Sequence, residues 1–296
     1  MIMTSTFQGK SSRIQFSKGH GGLPTVRVAT PWSTAEIYLY GAHIASFQKQ
    51  DEPPLLFLSE CSSFMPGKPI RGGIPIIFPW FGPAEGKPSM HGYARTRNWE
   101  LTQIVPAADG SVSLGFRLPD SAESAEAAAC AVEYIVTVAD TLSAELAVTN
   151  ESKSDFVFED CLHTYFTVGD ITTVSMVGLK GVDYLDKVEG FKRKTETNDV
   201  IRVGSEVDRV YLDTRQTVEI RDGSLKRVIR VEKENSVSTV VWNPWMVKAK
   251  AMPDFGDDEY QRMVCVESGN VSLGKTNLAP GQTSHLKVKY STVLLK

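Results

Sequence analysis

The chain has 296 residues, of which 42% are hydrophobic and 23% charged. Those fractions are typical of a folded globular protein and exclude disorder, collagen-like and low-complexity structure. A formal charge of -3, from 32 basic and 35 acidic residues, argues against a dedicated nucleic-acid binder.

The opening stretch, Met1 to Gln15, lacks the apolar core of a signal peptide. No apolar run reaches the 18 or so residues of a membrane-spanning helix. The expectation is a cytoplasmic protein with no membrane contact. Cys61, Cys130, Cys161 and Cys265 are widely spaced and form no CxxC pair, so they read as reduced thiols, not zinc ligands or a disulfide framework.

Arg71 to Gly82 (RGGIPIIFPWFG) is dense in Gly, Pro and aromatics. Proline cannot donate to a β ladder, so Pro75 and Pro79, like Pro244 later, belong at strand ends, edges or loops. Val112, Leu114, Phe116 and Leu118 alternate with the period of a half-buried strand. Ser121 to Ala129 is rich in Ala and Glu and has the composition of a short helix. Val132, Tyr134, Val136 and Val138 alternate again, and Asp140-Thr141 reads as a hairpin before Leu142, Leu146 and Val148. Val218 and Ile220 lead to Asp222-Gly223, a tight-turn dipeptide, with a strand resuming at Val228 to Val231. Val241 to Phe255 (VWNPWMVKAKAMPDF) is a second Pro- and Trp-rich segment. Pro280-Gly281 marks a turn before Leu286, Val288 and Tyr290. Helical periodicity is scarce, and no repeat or linker divides the chain. The expected fold is all-β: one large antiparallel β-sandwich domain over residues 1–296.

Histidine is rare, with five residues. Around His163, alternation puts Phe158, Leu162 and Phe166 on one face and Cys161, His163 and Tyr165 on the other. Histidine exchanges protons near neutral pH, which suits acid/base work. Glu267 follows Met263-Val264-Cys265-Val266, which reads as a buried strand. A carboxylate ending such a strand is partly desolvated, which raises its pKa toward that of a useful base. His91 and Arg95 lie in HGYARTRNW, and Arg71 opens the Gly-rich segment. A guanidinium grips a phosphate with two parallel hydrogen bonds. Walker, Rossmann, GxSxG and HExxH patterns are absent. Two carboxylates flanking a bond, the glycoside hydrolase arrangement, are poorly matched by a His and Glu pair.

In this order, RGGIPIIFPWFG, HGYARTRNW, LHTYF, VVWNPW and CVESGNV resemble the glucose-6-phosphate 1-epimerase branch of the aldose 1-epimerase (galactose mutarotase-like) superfamily. The resemblance spans roughly residues 35 to 290. It implies a large antiparallel sandwich with a sugar in a cleft on a concave face. It also implies interconversion of the α and β anomers of hexose 6-phosphates, with no metal, nucleotide or other cofactor. Carried over by motif, His163 is the acid at the ring oxygen and Glu267 the base at the C1 hydroxyl. His91 contacts the sugar beside the ring oxygen. Asp208, in Glu206-Val207-Asp208-Arg209-Val210-Tyr211, binds sugar hydroxyls, and Arg71 and Arg95 grip the 6-phosphate. Met90 stands where relatives often have a polar residue. Arg97, Lys248 and Lys250 read as solvated charges, and Trp242 and Trp245 either stack on sugar or pack a loop. A neutral aldose as substrate, or a carbohydrate-binding protein without turnover, are the alternatives. The protein is expected to act as a monomer on a small-molecule substrate.

Overall fold

The structure is a computed structural model that describes residues 7–8, 12–87, 89–119 and 130–295. The candidate helix over Ser121 to Ala129 lies outside the described residues. Two eight-stranded antiparallel sheets dominate, as the alternating sequence requires. The first runs in the order Ser175–Val177, Val218–Asp222, Arg227–Glu234, Thr283–Leu294, Leu142–Asn150, Cys130–Val138, Val112–Arg117 and Glu100–Pro106. The second runs Lys192–Thr195, Asp183–Asp186, Val207–Leu212, Ser238–Asn243, Met263–Asn270, Asp160–Leu162 and Ile76–Ile77, with Tyr165–Thr167 also paired to Met263–Asn270. A five-stranded sheet, from Phe7–Gln8 to His43–Lys49, and a two-stranded pair complete the sandwich.

The strands read from period-two alternation are present. Leu142 faces Val138 across the hairpin at Asp140-Thr141, and Leu286, Val288 and Tyr290 face inward on Thr283–Leu294. Pro75 and Pro79 flank the short strand Ile76–Ile77, and Pro244 caps the six-residue helix Trp245–Lys250. One turn differs from the reading. Asp222 is buried within its strand, and the chain reverses over residues 223–226, with Lys226 taking the left-handed conformation at φ 49. The Asp222 carboxylate accepts hydrogen bonds from the Gly169 and Leu225 amides, so the aspartate braces the loop instead of sitting in the turn.

The two large sheets share one apolar core. Val136, Ala144 and Val288 of the first belong to it together with Val207, Val241, Val264, Val266 and Phe166 of the second, and the rings of Phe166 and Tyr290 meet across the sheets. Those five residues occupy one face of the second sheet. Side chains alternate along a strand, so the intervening residues must occupy its other face. That opposite face carries the site.

Candidate active site

Register alone assembles most of it. Residues directly opposite in an antiparallel pair share a face. Asp208 lies opposite Trp242, Trp242 opposite Cys265, and Cys265 opposite Tyr165, which makes one row across four strands. Two residues along, Val210 faces Val240 and Val240 faces Glu267. Asp208, Val240, Trp242 and Glu267 line a cleft of about 260 Å³, with Arg71, Phe81, Met90, His91, Arg95, His163, Lys187, Lys248 and Met252 completing its wall. Two larger concavities, of about 480 and 420 Å³, lie elsewhere on the sheets and contain none of these residues.

Glu267 does not end its strand. It lies within Met263–Asn270 and is 1% exposed. The strand continues because Ser268 and Gly269 pair with neighbours on both sides, and a Cβ at Gly269 would stand 2.5 Å from the Asp160 carbonyl oxygen. His163 is 8% exposed, and its Nδ1 is 3.3 Å from Glu267 Oε1 without hydrogen-bond geometry. The Cys161 thiol donates to Glu267 Oε2 at 3.5 Å. Cys161, His163 and Tyr165 share a face, as alternation requires, but all three are buried, so that face is the cleft floor and its footing, not open surface.

Burial acts on the two groups in opposite directions. Desolvation pushes the Glu267 carboxyl well above the usual range, and nearby Asp208 adds to this against the opposing charges of Lys187 and Arg95. Desolvation also pushes the His163 imidazole well down, with His91, Arg95, Arg71 and Lys187 adding to it. Burial thus strengthens the hold of Glu267 on a proton and weakens that of His163.

His91 has φ 64, and its Nδ1 accepts the Gly82 amide at 3.2 Å. Its remaining nitrogen, Nε2, thus carries the proton. Burial, then Arg95, Lys187 and Arg71, lower its pKa and keep the ring neutral. The next residue must be glycine: Gly92 has φ 67, and a Cβ there would stand 1.9 Å from the Phe78 carbonyl oxygen.

Arg71 is clamped. Its Nε and Nη2 donate to the Asp254 carboxylate at 3.2 and 3.0 Å, and Nη1 donates to the Tyr165 hydroxyl at 3.0 Å. A guanidinium has five N–H groups, so donors on Nη1 and Nη2 remain for an anion. Arg95 donates Nη2 to the Met90 carbonyl at 2.8 Å, while its Nε is buried without a hydrogen-bond partner. Burial pushes its pKa down to about 10, and the Arg71 charge works in the same direction. An anion between the two arginines would relieve both effects.

Asp208, the carboxylate read from its motif, forms an ion pair with Lys187, Oδ1 to Nζ 2.9 Å. Lys187 was missed: it sits in the turn after Asp183–Asp186 and carries no motif. Lys248 corrects the reading of a solvated loop charge. It lines the cleft and pairs with Glu206 at 2.7 Å. Lys250 is exposed, and Arg97 is half-buried outside the lining. Met90 is on the rim. Trp242 lines the cleft and sets its edge against His163 and Tyr165, whereas Trp245 packs against Tyr260.

His163, Cys265 and Glu267 bring three donor atoms within 4.8 Å of one another, a set suited to a thiophilic divalent ion. The cationic side chains of Arg71, Arg95 and Lys187, which act on His163 and Glu267, oppose a cation there. The four cysteines are free thiols. No helix of the described residues is long and apolar enough to cross a membrane.

The family described as aldose 1-epimerase matches residues 24–291. The chain belongs to the aldose 1-epimerase family. A Cenchrus ciliaris protein named "Putative glucose-6-phosphate 1-epimerase" is 39% identical over 271 residues, 88% of this chain and 81% of that protein. An Escherichia coli protein of the same name is 36% identical over 252 residues, covering 84% of each. A crystal structure of a Salmonella typhimurium "putative mutarotase" superposes with a TM-score of 0.87 at 30% identity, covering 99% of this chain and 97% of that one. The aldose 1-epimerase family member described here is thus an all-β sandwich and an isomerase, as its motifs imply.

Proposed function

We propose that this aldose 1-epimerase interconverts the α and β anomers of hexose 6-phosphates, with glucose 6-phosphate as the first substrate to test. The observation that carries the reading is the placement of charge around the His163–Glu267 pair. In a hexopyranose, C6 is attached to C5, which bears the ring oxygen. A phosphate on C6 therefore lies on the ring-oxygen side of C1. Arg71 adjoins His163 through Tyr165, which takes a hydrogen bond from the guanidinium and stacks on the imidazole, whereas Asp208 and Lys187 pair with each other across the cleft, one row from Glu267. A sugar with its ring oxygen at His163 and its C1 hydroxyl at Glu267 thus points C6 toward the arginines. Its other hydroxyls face Asp208 and Lys187.

In this reading, a proton held at Glu267 passes to His163 Nδ1, 3.3 Å away, when the sugar binds. Glu267 then takes the C1 hydroxyl proton while His163 Nε2 gives a proton to the ring oxygen. The ring opens to the aldehyde, C1 turns about its bond to C2, and the steps reverse on the other face. His91, held as the Nε2–H tautomer, donates to an oxygen beside the ring oxygen. The reaction needs no proton from bulk solvent, because the pair ends each cycle with the proton count it began with. One core from Ile14 to Tyr290 supports a single catalytic unit.

Two-dimensional exchange NMR tests this directly. Glucose 6-phosphate is expected to show accelerated α–β exchange far above that of glucose or galactose. Equal acceleration of neutral sugars would replace the phosphosugar reading with a mutarotase on unphosphorylated substrates. Binding without exchange would leave a carbohydrate-binding protein.

Arg71→Ala and Arg95→Ala are each expected to raise KM for glucose 6-phosphate about ten- to a hundredfold, the usual size of a lost charge-assisted hydrogen bond. Parallel assays on glucose check the assignment. Equal harm to both sugars would mean that the arginines do not hold phosphate.

A further inference from the structure

The His163 ring carries no hydrogen bond that fixes its orientation at Nδ1, which is buried and without a hydrogen-bond partner. Aromatic contacts hold the ring instead. Tyr165 stacks on it at 4.8 Å between centroids with an interplanar angle of 8°, the most parallel contact in the cleft. Trp242 and His91 meet it edge-on at 6.0 and 5.8 Å. Tyr165 is 1% exposed, and its hydroxyl accepts from Arg71 Nη1 at 3.0 Å. The same Arg71 is gripped on its other edge by Asp254. One continuous path therefore runs from the guanidinium through the phenol to the imidazole.

We propose that Tyr165 is a positioning residue that couples occupancy of the Arg71 anion site to the orientation of the His163 ring. The inference rests on the hexose 6-phosphate reading. Without an anion, Asp254 and Tyr165 are the partners that orient Arg71. When a phosphate takes the remaining guanidinium donors, Arg71 is held from a third side, and the phenol hydrogen-bonded to it is held with it. The stacked imidazole then keeps its Nε2 aimed at the ring oxygen. Phosphate binding remote from C1 is in this way converted into rate, because a small misorientation of an acid lowers turnover more than it lowers binding.

The test uses the full chain and two readouts. The first is exchange NMR on glucose 6-phosphate, on glucose, and on glucose with inorganic phosphite as a separate dianion. Tyr165→Phe keeps the stacked ring and removes the hydroxyl. It is expected to lower kcat for glucose 6-phosphate about tenfold with KM little changed, several-fold more than it lowers kcat for glucose. It is also expected to abolish activation of glucose turnover by phosphite. Tyr165→Leu removes the stack as well, and the two sugars should then lose turnover together.

The second readout is independent of activity. In protein labelled at histidine with nitrogen-15, inorganic phosphate is expected to shift the His163 ring resonances in the wild type and to leave them in place in Tyr165→Phe. A Tyr165→Phe variant that keeps the wild-type ratio of kcat values, or whose His163 still responds to phosphate, overturns the coupling. Absence of glucose 6-phosphate exchange in the wild type, with the His163 response intact, instead refutes the substrate reading while the coupling stands.

Discussion

Glu267→Gln is expected to yield a protein that is nearly inactive and more resistant to heat. Removal of a general base typically costs about 10²–10⁴-fold in turnover, and glutamine cannot accept the C1 hydroxyl proton. The stability gain follows from linkage. The folded-state pKa of Glu267 is raised well above the usual carboxylate range, because burial penalises the carboxylate. The native state therefore binds the proton more tightly than the unfolded chain does. Its stability is greatest below the unfolded pKa and declines as pH rises toward the folded pKa. Glutamine is isosteric and uncharged, so this decline disappears. The difference in Tm between variant and wild type should grow as pH rises from 5 to 8, while exchange NMR records the loss of turnover. A variant with near wild-type turnover would remove Glu267 from the chemistry. A Tm difference that does not change with pH would mean that the carboxylate is better solvated than its 1% exposure implies.

His163→Ala is expected to lower kcat by about 10²–10⁴-fold with KM for glucose 6-phosphate nearly unchanged, because in the proposed mechanism the imidazole acts on the ring oxygen only as that bond breaks. The fold should persist, since His163 contributes no hydrogen bond through Nδ1 and the flanking strands pair through their backbones. The truncation leaves a flat slot against the Tyr165 ring, the shape of the imidazole it removed. Added free imidazole should therefore recover part of the lost rate. Kinetics with and without imidazole decide the point: a variant within about threefold of wild type shows that the ring oxygen is protonated from elsewhere, and the direct alternative in the cleft is His91.

The sheets were legible because their residues alternate strictly. Val132 to Val138 and Leu286 to Tyr290 each bury every second side chain, and the structure follows. Where polar residues are buried, the pattern failed. Ser268, Gly269 and Asn270 look like the end of a strand, yet they pair inside the sheet and place Glu267 deep within it. The hairpin read at Asp222-Gly223 is present but its turn is longer, spanning residues 223–226, because the Asp222 carboxylate is buried and bonds both to Leu225 in the turn and to Gly169 more than fifty residues away. At the site, motifs located His163, Glu267, His91, Asp208, Arg71 and Arg95, and all six line one cleft. Lys187, Lys248 and Asp254 left no comparable signal. Asp254 and Arg71 are 183 residues apart, and Tyr165 and Arg71 are 94 apart, so no local window holds both partners. The Glu-x-Asp pattern that located Asp208 also holds Glu206, which pairs with Lys248, a lysine of the Trp- and Pro-rich segment that the sequence reads as a solvated charge.

The two tasks of the cleft rest on parts of the fold with different mechanical footing. Glu267 stands on a strand hydrogen-bonded on both sides, and His163 lies between two short strands that pair with that same strand. Arg71 instead precedes two left-handed glycines at φ 112 and 59, and Arg95 occupies the single turn Ala94–Thr96. Core strands open only with the whole domain, whereas turns open at lower cost. If the arginines hold the phosphate as proposed, selectivity is the first property expected to fail when the molecule loosens. A worn or partly opened copy would then go on anomerising sugars but treat a phosphorylated one as it treats any other.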